Sequence, residues 1–189
     1  MKKLLLLIAI FALSFGANAQ QKAFGDYYFG MTKKEAKTAF KANKENHRIE
    51  IGGWEFIATP FNCEFGADGL CQVSMYPQAQ PMKMYLDRGN TELLLKEIKD
   101  IFTAAGYETE KEHVFWPKPS LMDGDSYCII MRSKATQKFV IVRMPNVMKS
   151  IRDNYDVWID IVPQSHADKL AEMKNKRVND KADELKSKL

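Results

Sequence analysis

The period of the apolar positions changes several times along this chain, and the changes divide it into elements. In "MTKKEAKTAFKAN", Met31 to Asn43, the residues Ala36, Ala39 and Phe40 recur at helical spacing and define one narrow apolar face. Thr32 and Glu35 match a capping box, in which each satisfies a backbone N–H of the other, and Asn43 and Asn46 can end the helix. A strand-rich block follows from His47 to Met84. "HRIEI" and "WEFIAT" flank Gly52-Gly53, while "FNCEF" and "LCQVSMY" flank Gly66-Ala67-Asp68-Gly69, so both glycine joints predict hairpins; Pro77 and Pro81 close the block.

A broader apolar face returns between Asn90 and Ala105, where Leu94, Leu95, Ile98, Ile101, Phe102 and Ala105 predict the strongest helix of the chain. Asn90 or Thr91 can cap its start, and Gly106 stands where a C′ residue belongs. Strand patterns then resume in "ETEKEHVFW", "SYCIIMRS", "KFVIVRM" and "YDVWIDIVP". The runs "IIM" and "FVIV" are continuously apolar, as in central strands. Val157, Ile159 and Ile161 alternate with Trp158 and Asp160, as in a strand with one covered face. The last segment, from Ser165, holds seven basic and five acidic residues around a thin stripe of Ala171, Val178, Ala182, Leu185 and Leu189. It reads as a solvated charged helix or tail; lysines at 174, 181 and 188 argue against a coiled coil.

Helix, strands, helix, strands is the order that results. Hairpin-length joints leave no room for crossover helices, so the expected class is α+β with antiparallel sheet. Two helix-plus-sheet units in tandem are predicted, over residues 20–88 and 89–164, followed by a C-terminal charged helix or tail over 165–189. The halves share a pattern and do not align by residue.

The segment before residue 20 changes the picture of where the chain folds. Lys2 and Lys3 precede an apolar run from Leu4 to Phe15, and Ala17-Asn18-Ala19 supplies the small-x-small pattern of a signal-peptidase site. The run is shorter than the roughly 18 to 20 residues of a membrane span, and no later run reaches that length. A cleaved secretory signal of bacterial type over residues 1–19 is expected, with a periplasmic or secreted product. Loss of Lys2 and Lys3 lowers the net charge from +4 to +2, too little to argue for nucleic acid or an anionic membrane surface.

Familiar catalytic and metal patterns are missing. The soft and imidazole ligands are Cys63, Cys71, Cys128, His47, His113 and His166, with no CxxC, HxH or HExxH spacing among them, so no metal site is expected. Cys63, Cys71 and His47 are the set that one sheet could gather. Cys128 would need a neighbouring imidazole, His113 being nearest, to act as a nucleophile, and its place in "YCIIM" suggests a buried thiol instead. Asp123-Gly124-Asp125 reads as a turn without the further ligands of a calcium loop. Neither a catalytic residue nor a cofactor is assigned. Most aromatics should be core; Trp116, beside Pro117 and Pro119, and Trp158, opposite the Val157 face, are the two candidates for a binding surface.

An oxidising compartment allows a Cys63–Cys71 disulfide, although three cysteines leave at least one unpaired within the chain. Hairpin register decides the matter. A three-residue Ala67-Asp68-Gly69 loop places Phe65 opposite Cys71 and leaves the thiols diagonal, about 7 Å apart at Cβ, against the roughly 3.8 Å of an unstrained bridge. A wider Gly66–Asp68 loop would set Cys63 opposite Cys71 and permit the bond.

"FGMTKKEAKTAF" resembles the helix-opening Gly-Met-Thr-x-x-Glu motif of small outer-membrane lipoproteins of the BamE (SmpA/OmlA) type. The helix-then-antiparallel-sheet order is similar to that of β-lactamase inhibitor protein, in which such a unit occurs twice. The match by residue covers Gly30 to Ala39, and this chain lacks the lipidated cysteine of the lipoproteins. The resemblance implies a secreted, non-catalytic fold that presents a sheet surface to a partner. The expected function is therefore binding of a protein or cell-envelope component through a sheet face or the C-terminal helix. The alternatives are a hydrolase or thiol enzyme using Cys128 or the Asp123/Asp125 turn, and a carrier with an apolar pocket between helix 91–105 and the sheet.

Overall fold

Thr32 opens the first helix as its sequence predicts. Its N–H donates to Glu35 Oε2 at 2.7 Å, and the Glu35 N–H donates to Thr32 Oγ1 at 3.3 Å, so α1 (Lys33–Ala42) starts with a closed capping box. In this computed structural model, residues 20–78, 87–113, 126–144, 147–148, 154–186 and 188 are described. The predicted signal segment, Trp116 and the Asp123–Asp125 turn lie outside them, and Cys128 is placed by its backbone alone.

The second helix, α2 (Arg88–Ala104), begins earlier than its apolar pattern suggests. Asp87 is the N-cap in place of Asn90 or Thr91, because its Oδ1 accepts the Asn90 N–H at 2.8 Å. At the other end Gly106 takes φ 85°, which lets its own N–H reach the Thr103 carbonyl and the Tyr107 N–H reach the Phe102 carbonyl, both at 3.0 Å. The charged C-terminal segment is the helix α3 (Gln164–Lys186), which grows directly out of the last strand. From Asp168 onward, every α3 residue whose side chain is described is exposed.

Twelve strands are described. β1 (Lys22–Phe24) and β2 (Tyr27–Tyr28) form one small hairpin, and β10 (Val147–Met148) pairs with β11 (Asn154–Tyr155) in another. The remaining eight are β3 (Arg48–Ile51), β4 (Trp54–Ile57), β5 (Glu64–Gly66), β6 (Gly69–Pro77), β7 (Glu108–Glu112), β8 (Ser126–Ser133), β9 (Lys138–Met144) and β12 (Trp158–Pro163). They make one antiparallel sheet in the order β3-β4-β6-β12-β9-β8-β7, with β5 on the first residues of β6 and β4 on its last. Gly52 and Gly53, at φ 60° and 73°, make the predicted tight turn between β3 and β4. The chain is thus α+β with antiparallel sheet and a C-terminal helix, and the strands of its two helix-led halves meet where β6 pairs with β12.

Register across that junction builds the core. Met75 lies opposite Ile159, Ile159 opposite Val142, and Val142 opposite Ile129, one apolar row from four strands, each at most 1% exposed. Val73, Ile161, Val140 and Met131 form a second apolar row, none more than 4% exposed. Leu94, Leu95 and Ile98 of α2 belong to the same buried cluster. The broad helix face and the alternating strand faces predicted from the sequence are two sides of one core.

The second predicted hairpin has a different register. Gly66 pairs with Gly69 and Phe65 with Leu70, so the loop is only Ala67-Asp68, but Glu64 pairs with Gln72. Cys71 is therefore the extra residue of a β-bulge. The predicted strand "FNCEF" shortens to Glu64–Gly66, because a turn with the Asn62 N–H on the Thr59 carbonyl, 3.1 Å, precedes it. Gly69 is pinned at φ 92°: a Cβ there would lie 2.3 Å from the Gly30 carbonyl oxygen. Gly106 has a similar φ and open space around it. Gly106→Ala is expected to cost about 1–2 kcal/mol, the ordinary left-handed penalty. Gly69→Ala should cost at least about 1 kcal/mol more, since backbone must move as well. Urea denaturation of the two variants measures the difference.

Candidate functional site

Alternation sends every second residue of the central strands to the face opposite the core. Tyr76, Trp158 and Arg143 lie side by side there, one each from β6, β12 and β9. The Tyr76 and Trp158 rings are 5.7 Å apart at a 31° tilt, and the Arg143 guanidinium lies 4.9 Å from the Trp158 ring centre. All three are half-buried. The two rings and the guanidinium together present a large area with few torsions to fix.

Asp160 holds the cation in place. It lies one row from Trp158 on the same face; its carboxylate accepts from Arg143 Nε, and Oδ1 accepts from Nη2 at 3.4 Å. The Asp160 side chain is only 5% exposed, and Arg143 is the cation paired with it. Asp156, in the link before β12, adds a second carboxyl. Burial pushes its pKa above the ordinary carboxylate range, and the neighbouring Trp158 indole and Arg143 guanidinium oppose the rise without cancelling it. Trp158, one of the two aromatics expected at a binding surface, is half-buried, and the fold gives it the neighbours Tyr76, Arg143 and Asp156. "VWIDIV" already carried part of this set, since Trp158 and Asp160 share a parity; the cross-strand partners had no local signal.

The thiols occupy two different environments. Cys63 is buried, its Sγ 3.3 Å from the Thr59 carbonyl, and burial pushes its pKa up to about 12 against a smaller opposing effect of the Ser74 backbone, which leaves it inert. Cys71 is turned by the bulge to the rim of the sheet, 3.5 Å from the Glu64 carbonyl, where desolvation first and the Glu64 charge to a lesser degree raise its pKa. Both are free thiols, so the permitted bridge is not formed: Cys63 is buried just before β5, outside the paired hairpin, while Cys71 is half-buried at the bulge of β6. Cys128 lies at a second bulge, between Tyr127 and Ile129 of β8, and His113 is exposed at the end of β7.

His47 joins neither cysteine. It is fully buried between the Tyr27 and Phe40 rings, 4.1 and 5.6 Å away, with Asp26 at 3.9 Å. Desolvation lowers its pKa against the opposing pull of Asp26 and the Ala39 backbone, so it is a neutral core residue at neutral pH. His166 lies instead in the first turn of α3, beside Cys71. The helix–sheet boundary expected to hold an apolar pocket has two open clefts of about 430 and 230 Å³. Charged side chains such as Lys96, Glu97 and Asp100, and Lys99 and Glu112, line them.

Comparison of the chain with known protein families, with curated proteins and with solved structures finds no match. The sheet face must be judged by its own chemistry, and Asp156 provides a direct check. With its folded pKa held above the unfolded value of about 3.9, the stability it contributes is complete below that value and is lost as pH rises through the folded pKa. Asp156→Asn is therefore expected to be more stable than the parent at neutral pH, the gap closing below about pH 3. Thermal melts of both proteins at the two pH values measure it; a gap unchanged in acid would contradict this account of the site.

Proposed function

We propose that this chain is an exported, non-catalytic binding protein that engages a protein partner of the cell envelope through the β6–β12–β9 face. The observation that carries the proposal is the Tyr76–Trp158–Arg143 stack, anchored by the buried carboxylate of Asp160 at the middle of an eight-stranded sheet. Tyr, Trp and Arg are the side chains that dominate protein-binding hot spots, and such residues cluster at the centre of an interface. The position is rigid, because β12 is paired on both edges and the Arg143–Asp160 pair fixes the cation. A partner would thus lose little of its binding free energy to ordering this surface. The apolar run and small-x-small site before residue 20, and the Gly-Met-Thr-x-x-Glu resemblance near α1, support the same class.

Capture of partners from an envelope fraction by the immobilised chain tests this. Trp158→Ala is expected to weaken capture of the retained protein about 30-fold, the equivalent of a 2 kcal/mol hot spot. Tyr76→Ala should act in the same direction, with circular dichroism confirming that both variants fold. Equal capture by parent and variants, or turnover of an envelope substrate with no partner retained, would overturn the proposal.

A further inference from the structure

Glu64, Cys71 and His166 come from β5, β6 and the first turn of α3, and each offers one ligand atom within 4.8 Å of the other two. We infer that these three side chains form a binding site for a thiophilic divalent metal ion of the zinc type. The site is independent of the aromatic sheet face and was hidden in the sequence, where His166 stands far from the other two.

Local structure aims the donors. A regular hairpin would give Cys71 the parity of the buried Val73 and Met75. The bulge instead keeps Leu70 in the core and moves Cys71 to the rim, the kind of re-aiming for which bulges are used at functional sites. Gly66 lies beside the sulfur, where a Cβ would sit in ordinary contact at 3.8 Å from Cys71 Sγ. His166 Nε2 is buried and has no hydrogen-bond partner, an unusual state for an imidazole nitrogen and one that a metal ion or a proton acceptor relieves. Cys71 and His166 also line a cleft of about 380 Å³, shared with Gly30, Asp68 and Lys169.

The donor set selects the ion. A thiolate, an imidazole and a carboxylate together suit a borderline ion and not magnesium or calcium, which take oxygen ligands. Tetrahedral coordination at the usual zinc bond lengths separates ligand atoms by roughly 3.3–3.8 Å, which small side-chain rotations from the present spacing achieve. Three protein donors leave the fourth position open toward the cleft for water or a donor from a bound molecule. Lys169, which lines the same cleft, is exposed and paired with Asp68 at 3.2 Å, so its repulsion of a metal ion is offset. Two anionic donors side by side are stable together once a cation lies between them.

Cobalt titration of the purified, reduced, metal-free chain tests the site. The expected result is a thiolate-to-cobalt charge-transfer band saturating at one equivalent and displaced by zinc. Cys71→Ser should abolish the band, while His166→Ala and Glu64→Gln should weaken zinc binding by at least about 10–100-fold, the loss seen when even a ligand's supporting partner is removed. Cys128→Ser and His113→Ala should leave both readouts unchanged. Absence of the band in folded protein, its survival in Cys71→Ser, or its loss in Cys128→Ser would overturn the assignment, with urea midpoints confirming that each variant is folded.

Discussion

The antiparallel pairing of β6 with β12 is the interaction on which the rest of this molecule depends. Without it, each helix-led half would hold a small sheet with an exposed edge and too little apolar area to cover. With it, Met75 meets Ile159 and Val73 meets Ile161, and β12 carries the apolar rows on into β9 and β8. The pairing joins strands far apart in the chain, residues 69–77 and 158–163, so its loop-closure entropy must be met by the burial it creates. Register is correspondingly strict: a slip of β12 by one residue would turn Ile159 and Ile161 away from Met75, Val73 and Val142 and bring Trp158 and Asp160 to their side of the sheet.

The same register composes the opposite face. Because Ile159 points into the core, Trp158 and Asp160 must point out, one on each side of it, and Arg143 arrives opposite Trp158 from β9. Arg143 thereby reaches both the indole face and the Asp160 carboxylate. A buried ion pair of this kind is weak evidence of stability, since desolvation of both charges consumes most of the Coulomb gain. Its effect is to fix one orientation of the guanidinium above the indole ring.

Irregularity shapes the other end of β6. A two-residue loop between glycines would normally continue a regular ladder, but Cys71 is inserted as a bulge, and Leu70 and Val73 both reach the core with two residues between them. The first turn of α3 is then brought against the bulge, since α3 begins without a linker where β12 ends. The N-terminal segment closes the arrangement: the Gly30 N–H donates to the Leu70 carbonyl at 2.9 Å, and the Leu70 N–H donates to the Met31 carbonyl at 2.7 Å. Strand, helix and lead-in segment converge there because each end of β6 is tied to a different part of the chain.

Local chemistry was legible in the sequence by itself. The α1 capping box, the Gly52-Gly53 turn, Gly106 as a helix stop, the apolar face of α2 and the alternation around Ile159 all follow from interactions within a few residues, and they suffice for the α+β antiparallel class. The helix starts at Asp87 because a cap belongs to whichever side chain reaches the N–H, which the apolar period does not record. Tertiary structure alone decided the order of strands, the bulge at Cys71, and the neighbours of Trp158 and His166. Each of these depends on which distant strand lies alongside, a choice settled by burial summed over the whole sheet, and no short stretch of sequence contains that sum.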